Sequence, residues 1–327
     1  MSARAGVGVF ARAGVLFACA CAAVAQAQPF PSKPVRIVIP FPPGGGVDIV
    51  ARLVGPKLSD IYGQQVVVDN RAGAAGVIGT ELAARAAPDG YTWLMATMGN
   101  LAVNRHLYAK VTVDPVRDLA PVTQVVAVHF VMVAHPSLPA SNVKALIALA
   151  KTQPEKITYA SSGAGGAPHL AGALFNSMAN VKLAHVPYKG SGPSFVDLLG
   201  GHVMLTFDSM LQALPYIKSS RLKVLAVLGP KRAPQLPQVP TISESGLPGY
   251  ELTNWFGLTL PGGTSRDLVT RVHGDVSKVL QQPDVREKLV EMGADVVASS
   301  PQDFATFLAA ESAKWAKVIK EADIKAE

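Results

Sequence analysis

The residues best placed to do chemistry gather in short segments rich in glycine, serine and proline. The first is Phe41-Pro42-Pro43-Gly44-Gly45-Gly46-Val47-Asp48, directly after the β-branched run Val35 to Ile39. Its three glycines let the backbone approach a bound group closely. The helix pattern that follows, Ile49 to Tyr62, offers unpaired N–H groups and a partial positive charge at its N-terminus. Proline stiffness lowers the cost of ordering such a loop around a ligand. Together these features suit a small anion such as a carboxylate. A tight strand-to-helix connection with no ligand is the other reading of the same spacing. Neither G-x-x-x-x-G-K-[ST] nor G-x-G-x-x-G is present, so a nucleotide finds no support here.

Three further segments offer side chains. Ser161-Ser162-Gly163 brings two hydroxyls and more N–H groups to a second helix start, where a carboxylate could be held by neutral donors or one serine could simply cap the helix. Lys189 and Gly190 lie in a Gly/Pro loop, where the lysine is either a cation for the ligand or a solvated surface group. Asp208 follows the run His202 to Phe207 and is placed to accept from a ligand ammonium or hydroxyl, or to cap the next helix. Thr97 to Asn100, at the end of another strand, is a plausible fifth contributor.

Catalysis finds little in these residues. G-x-S-x-G is absent, and His129, His135, His169, His185 and His202 show no H-x-x-x-H or H-E-x-x-H spacing. One arrangement stays open, a serine hydrolase pairing Ser161 or Ser162 with His169. Both cysteines, Cys19 and Cys21, fall in the N-terminal segment, leaving the remainder without disulfides, thiol chemistry or Cys-ligated metal. The expectation is no enzyme, no metal and no cofactor.

These loops need strands and helices to position them, and the chain alternates the two. Val35–Ile39, Gln65–Val68, Tyr91–Ala96, Val125–Ala134, Ile157–Ala160, Leu183–Val186, His202–Phe207 and Lys223–Leu228 are strand-like, with helical stretches between most of them. Asp48 is expected to cap the first helix and Pro56 to kink or split it. The alternation predicts an α/β fold with parallel-rich sheets. In such sheets ligands sit beyond the carboxyl ends of the strands, where glycine, serine and proline concentrate here. The strand around His129 to Ala134, at the end of the run Val125–Ala134, and Trp255–Leu260 read as two extended crossings. They predict a discontinuous first lobe, 28–125 with 252–327, and a second lobe, 126–251.

The start of the chain has a different character. Arg4 and Arg12 precede an apolar stretch that ends in Ala25-Gln26-Ala27, the pattern of a secretory signal cleaved after Ala27. Leu16-Phe17-Ala18-Cys19 loosely resembles a lipoprotein box. Removing the two arginines takes the formal charge from +7 to +5. The remaining basic residues are scattered, which gives mild attraction for anions and no nucleic-acid stripe.

An ordered set of motifs carries a resemblance over nearly the whole remaining chain. It runs from Pro40-Phe41-Pro42-Pro43-Gly44-Gly45-Gly46-Val47-Asp48 through Asn70-Arg71-Ala72-Gly73-Ala74-Ala75-Gly76 and Pro88-Asp89-Gly90-Tyr91-Thr92. It continues with Tyr159-Ala160-Ser161-Ser162-Gly163, His185-Val186-Pro187-Tyr188-Lys189-Gly190 and Trp255-Phe256-Gly257. The set resembles the extracytoplasmic solute receptors of tripartite tricarboxylate transporters, the Bug receptor family. That resemblance implies a two-lobed, type II-like periplasmic binding protein, monomeric, with two sheets joined by two hinge strands. It implies a small carboxylate or amino acid held by main-chain groups and ordered water at Phe41 to Asp48. Ser161, Ser162 and Gly163 would face that loop, with Asp208 and Thr97 to Asn100 nearby. The partners implied are membrane permease subunits; a sensor protein that reads the same closed cleft is the alternative. One departure stands out: many relatives carry Ser or Thr where this chain has Val47.

Overall fold

The computed structural model describes residues 30–321, so the expected signal segment and lipoprotein box lie outside the described residues. The folded body begins at Lys33. It is built on two sheets. The first has strand order β11-β4-β10-β3-β1-β2 and the second β7-β6-β8-β5-β9. In chain order these are β1 Val35–Ile39, β2 Val66–Asn70, β3 Thr92–Thr97, β4 Leu119–Val128, β5 Phe130–Ala134 and β6 Thr158–Ser161. Then follow β7 Ala184–Pro187, β8 Leu205–Ser209, β9 Lys223–Val227, β10 Asn254–Pro261 and β11 Ala294–Val296.

Both sheets are mixed, for a reason visible in the path of the chain. β1 runs parallel to β2 and β3, and β6 parallel to β7 and β8. The strands that leave and re-enter each sheet lie side by side and therefore point in opposite directions. β10 is antiparallel to β3 and β4, and β5 is antiparallel to β8 and β9. The apolar run read as one strand from Val125 to Ala134 is two strands in two sheets, with the change at His129. Its N–H donates to Gly293 O (3.0 Å) and its carbonyl accepts from Met210 N (2.8 Å). The return passage is as short. Leu252 N still bonds to Leu228 O beside the second sheet, while Asn254 already pairs with Val128 in the first, leaving Thr253 between them.

Burial explains the strands. β1, VRIVI, lies between β3 and the edge strand β2, and all of it except Arg36 is buried, as expected of a β-branched run covered on both faces. The Gly46–Tyr62 helix covers it with Val50, Val54 and Leu58, each fully buried. Each such side chain contributes roughly 1.5–3 kcal/mol of burial free energy. Pro56 neither ends nor splits this helix, which runs unbroken over 17 residues. Phe175, Phe207 and Tyr159 fill the second sheet's core on the side of the Ala167–Ala179 helix. Among the described residues no helix is long and apolar enough to cross a membrane.

Candidate functional site

Four helices begin around one cleft. They are Gly46–Tyr62, Ala167–Ala179, Ser191–Leu199 and Met210–Lys218. The cleft is lined by residues at or just before those starts: Gly45, Gly46 and Val47; Ser162, Ala167 and Pro168; Ser191; Asp208 and Ser209. Phe41, Thr97, Phe130, Asn254 and Phe256 complete the wall. The first amides of each helix have no intrahelical acceptor, and each N-terminus carries about half a positive charge. Asp208 is the one charged side chain among the lining residues. The arrangement attracts an anion through main-chain groups instead of through Lys or Arg.

The glycine loop is held in shape from behind. Asp48 is not the helix cap; Gly45 is, without a side-chain bond. Asp48 turns back into the loop and accepts from Gly44 N, Arg52 Nε and Asn70 Nδ2, each at 2.9 Å. Asn70 Nδ2 also donates to Phe41 O (2.9 Å). Burial alone would raise the Asp48 acid, but the bonds from Arg52, Gly44 and Asn70 outweigh it and hold the carboxyl below its ordinary value. Three of its acceptor sites are spent on holding the loop and its neighbours.

Asn100 plays a similar part for the Thr97 corner. Its Oδ1 accepts from Thr97 Oγ1 (3.0 Å) and its Nδ2 donates to Ala75 O (3.0 Å), tying the end of β3 to the turn after β2. Thr97 lines the cleft and Asn100 stands behind it. The two serines also divide. Ser162 lines the cleft, whereas Ser161, fully buried, has its Oγ 2.6 Å from His185 Nε2 and accepts from Gly163 N (3.1 Å). The ring of His185 stacks between Tyr159 (centroids 5.0 Å) and His169 (4.3 Å). Burial pushes its acid down to about 4. His169 Nδ1 accepts from Gly165 N (3.1 Å), so both histidines brace the turn that carries Ser162.

Asp208 is 2 % exposed. Its Oδ2 accepts from Ser191 Oγ (2.7 Å) and its Oδ1 from Ser209 N (2.6 Å); burial raises its acid to about 6. Capping of the next helix falls to Ser209, whose Oγ accepts from Leu211 N. Lys189, Pro43 and Gly44 are exposed and do not line the cleft, so the loop lysine supplies no cation there. Gly163 and Gly190 shape their turns at φ +121° and +141° without lining it.

Reading the sequence alone missed Pro168, Ser191, Ser209, Asn254 and Phe130 as lining residues. Ser191 and Ser209 each stand next to a residue or loop already singled out. Asn254 carried no signal, because its place depends on pairing with Val128 far along the chain.

On either side of the cleft the backbones touch. A β-carbon on Gly192 would lie 2.7 Å from Pro43 O, and one on Gly190 2.7 Å from Pro42 Cδ. Across the cleft, one on Gly99 would lie 3.1 Å from Gly165 O, and Tyr108 Oη donates to Ala164 O (2.7 Å). Between these seams the cavity volume is about 30 Å³, room for a water or two.

The model for the tripartite tricarboxylate transporter family receptor matches residues 50–324. Protein BugT of Bordetella pertussis is 38% identical over 321 residues, covering 98% of this chain and 97% of BugT. A solved structure of an R. palustris protein with adipate is similar at 39% identity and a TM-score of 0.88, over 90% of this chain and 99% of that one. MatC from Rhodopseudomonas palustris with bound malate is similar at 30% identity and a TM-score of 0.85, over 89% of this chain and 100% of that one.

Proposed function

The chain belongs to the tripartite tricarboxylate transporter receptor family, and from that membership we propose that it captures a small carboxylate between two lobes and hands it to a membrane permease. It is a solute-binding receptor. The finer reading rests on one observation: four helix N-termini converge on a cleft whose lining includes no basic side chain. A carboxylate there is held by main-chain N–H groups and neutral hydroxyls, at the loop Phe41 to Val47 on one wall and at Ser162, Ser191 and Ser209 on the other. Adipate and malate in the two related structures are carboxylates of the size such a clamp takes.

The lobes are the two sheets with their helices, divided near His129 and Thr253. The ligand enters while the walls are apart, and closure follows. Closure is driven by the ligand's greater affinity for the closed form. The work is binding and not turnover, since the serine that meets a histidine, Ser161, does so behind the wall. The protein acts in the periplasm as a monomer, after cleavage of its leader near Ala27.

The test is a thermal-shift screen of purified, refolded protein against mono-, di- and tricarboxylates and amino acids. Refolding strips any ligand carried through purification. A ligand at a hundredfold excess over Kd stabilises by about 2.7 kcal/mol, a visible shift. A concentration-dependent shift from at least one acid, without its consumption, supports the reading. No shift from any acid sinks it.

A further inference from the structure

We propose that Asp208 makes this receptor select acids that present an ammonium or hydroxyl donor to it, amino or hydroxy acids in preference to plain carboxylates. The inference rests on the receptor reading above and narrows the ligand class of the same cleft.

The argument starts from an imbalance. Asp208 is buried in the cleft wall, takes part in no ion pair among the described residues, and has no charged neighbour along the lining. An ionised carboxylate has about four acceptor sites. Ser191 Oγ and Ser209 N occupy two, leaving capacity on a side chain that borders the cavity. A carboxylate serving only to link two helix starts is a costly choice, because burying a charge is penalised where a neutral Asn could accept from Ser209 N and donate to Ser191 Oγ instead. Burial, only partly opposed by the bonds from Ser191 and Ser209, carries its acid up to about 6. A ligand that brings a donor to the remaining sites removes that penalty.

Charge counting points the same way. Four helix N-termini supply roughly half a positive charge each, about +2 in all. Ionised Asp208 offsets about half of that, leaving the cleft suited to one net negative charge. A second ligand carboxylate against Asp208 would place like charges side by side, and one would have to take a proton. An ammonium or hydroxyl at that point meets Asp208 with no such demand. Asp208 engages the Ser191 hydroxyl and Ser209 N, leaving the helix amides after both residues, together with the Gly46 and Ala167 ends, to face the ligand carboxylate.

Isothermal calorimetry on matched series tests this: propionate, lactate and alanine; succinate, malate and aspartate; glutarate, 2-hydroxyglutarate and glutamate. Each is titrated at pH 8 into the wild type and into Asp208→Asn. In whichever series binds, the donor-bearing acid is expected to bind at least tenfold more tightly than the plain acid, and Asp208→Asn to narrow that gap below threefold. Titrating the wild type in two buffers of different ionisation enthalpy gives a readout independent of the variant's folding. There the plain diacid should take up a proton on binding and the amino or hydroxy acid should not. A plain acid that binds as tightly and without proton uptake overturns the inference, as does a gap that survives Asp208→Asn. Binding by any acid keeps the receptor reading intact in those cases. Silence across all three series while another acid shifts the melting temperature in the wider screen overturns the inference alone; silence in both removes the receptor reading as well.

Discussion

The hydroxyl of Ser161 lies 2.6 Å from Nε2 of His185, and the pair sits behind the cleft wall instead of on it. The distance is one a hydrolase would use, but the position gives it a structural task. It fixes the turn between β6 and the Ala167–Ala179 helix, where Ser162 reaches the cleft.

His185 gives that turn an acid limit. Its folded acid constant, about 4, lies below the ordinary 6.5, so the unfolded chain takes up a proton over a range in which the folded one does not. Its contribution to stability is therefore complete above pH 6.5 and lost as pH falls toward 4. His185→Gln should flatten the acid side of a melting-temperature profile taken from pH 8 to pH 4. An unchanged profile would show that the ring titrates freely.

Asp208 works in the opposite sense. Its acid constant rises on folding, from 3.8 to about 6. The ligand-free protein should gain stability as pH falls from about 6 to about 4. Above that range the buried charge costs on the order of 3 kcal/mol. Asp208→Asn should raise the melting temperature of ligand-free protein at pH 8 and leave it unraised at pH 4. The two titrations oppose one another between pH 4 and 6, so each single variant exposes the other. A variant no more stable at pH 8 would mean that the carboxylate finds a compensating partner.

Gly192 separates closure from contact. An alanine there meets Pro43 O at 2.7 Å, a backbone neighbour that cannot swing aside, while Gly192 itself lines no part of the ligand cleft. Gly192→Ala should weaken ligand binding by tenfold or more with a melting temperature near that of the wild type. Small-angle scattering with saturating ligand should show a larger radius of gyration than the wild type. Normal affinity would remove the glycine seam from the closing mechanism.

Asp48 braces the Phe41–Val47 loop from behind. Asp48→Ala removes the bonds donated by Gly44 N, Arg52 Nε and Asn70 Nδ2, at about 1–2 kcal/mol of stability, and frees the loop. Chemical denaturation and calorimetry together should find both stability and affinity reduced. Affinity lost with stability intact would instead place Asp48 in contact with the ligand.

The α/β alternation and the loops at the strand ends could be read from residue type, because glycine, serine and proline mark where strands stop. Side-chain direction could not. Asp48 has Arg52 one helical turn along, a hint at a local ion pair, but its third partner, Asn70, is 22 residues away. Ser161 and Ser162 are adjacent in a strand end and so face opposite ways, yet which one meets the cleft depends on the sheet's orientation. Lys189 carried the expected charge on a loop that points it at solvent. The passages at His129 and Thr253 were blurred for the same reason: one apolar run serves two sheets, and only pairing partners reveal where it changes.

Those two passages also set an entropic scale. Each is about one residue long, so the closure proposed above would run through very few soft torsions. Fixing one residue's backbone costs roughly 1–2 kcal/mol, which limits what closure can lose at these two joints to a few kcal/mol. A closure so cheap at its joints leaves the translational and desolvation costs of binding as the main opposition to the ligand's contacts.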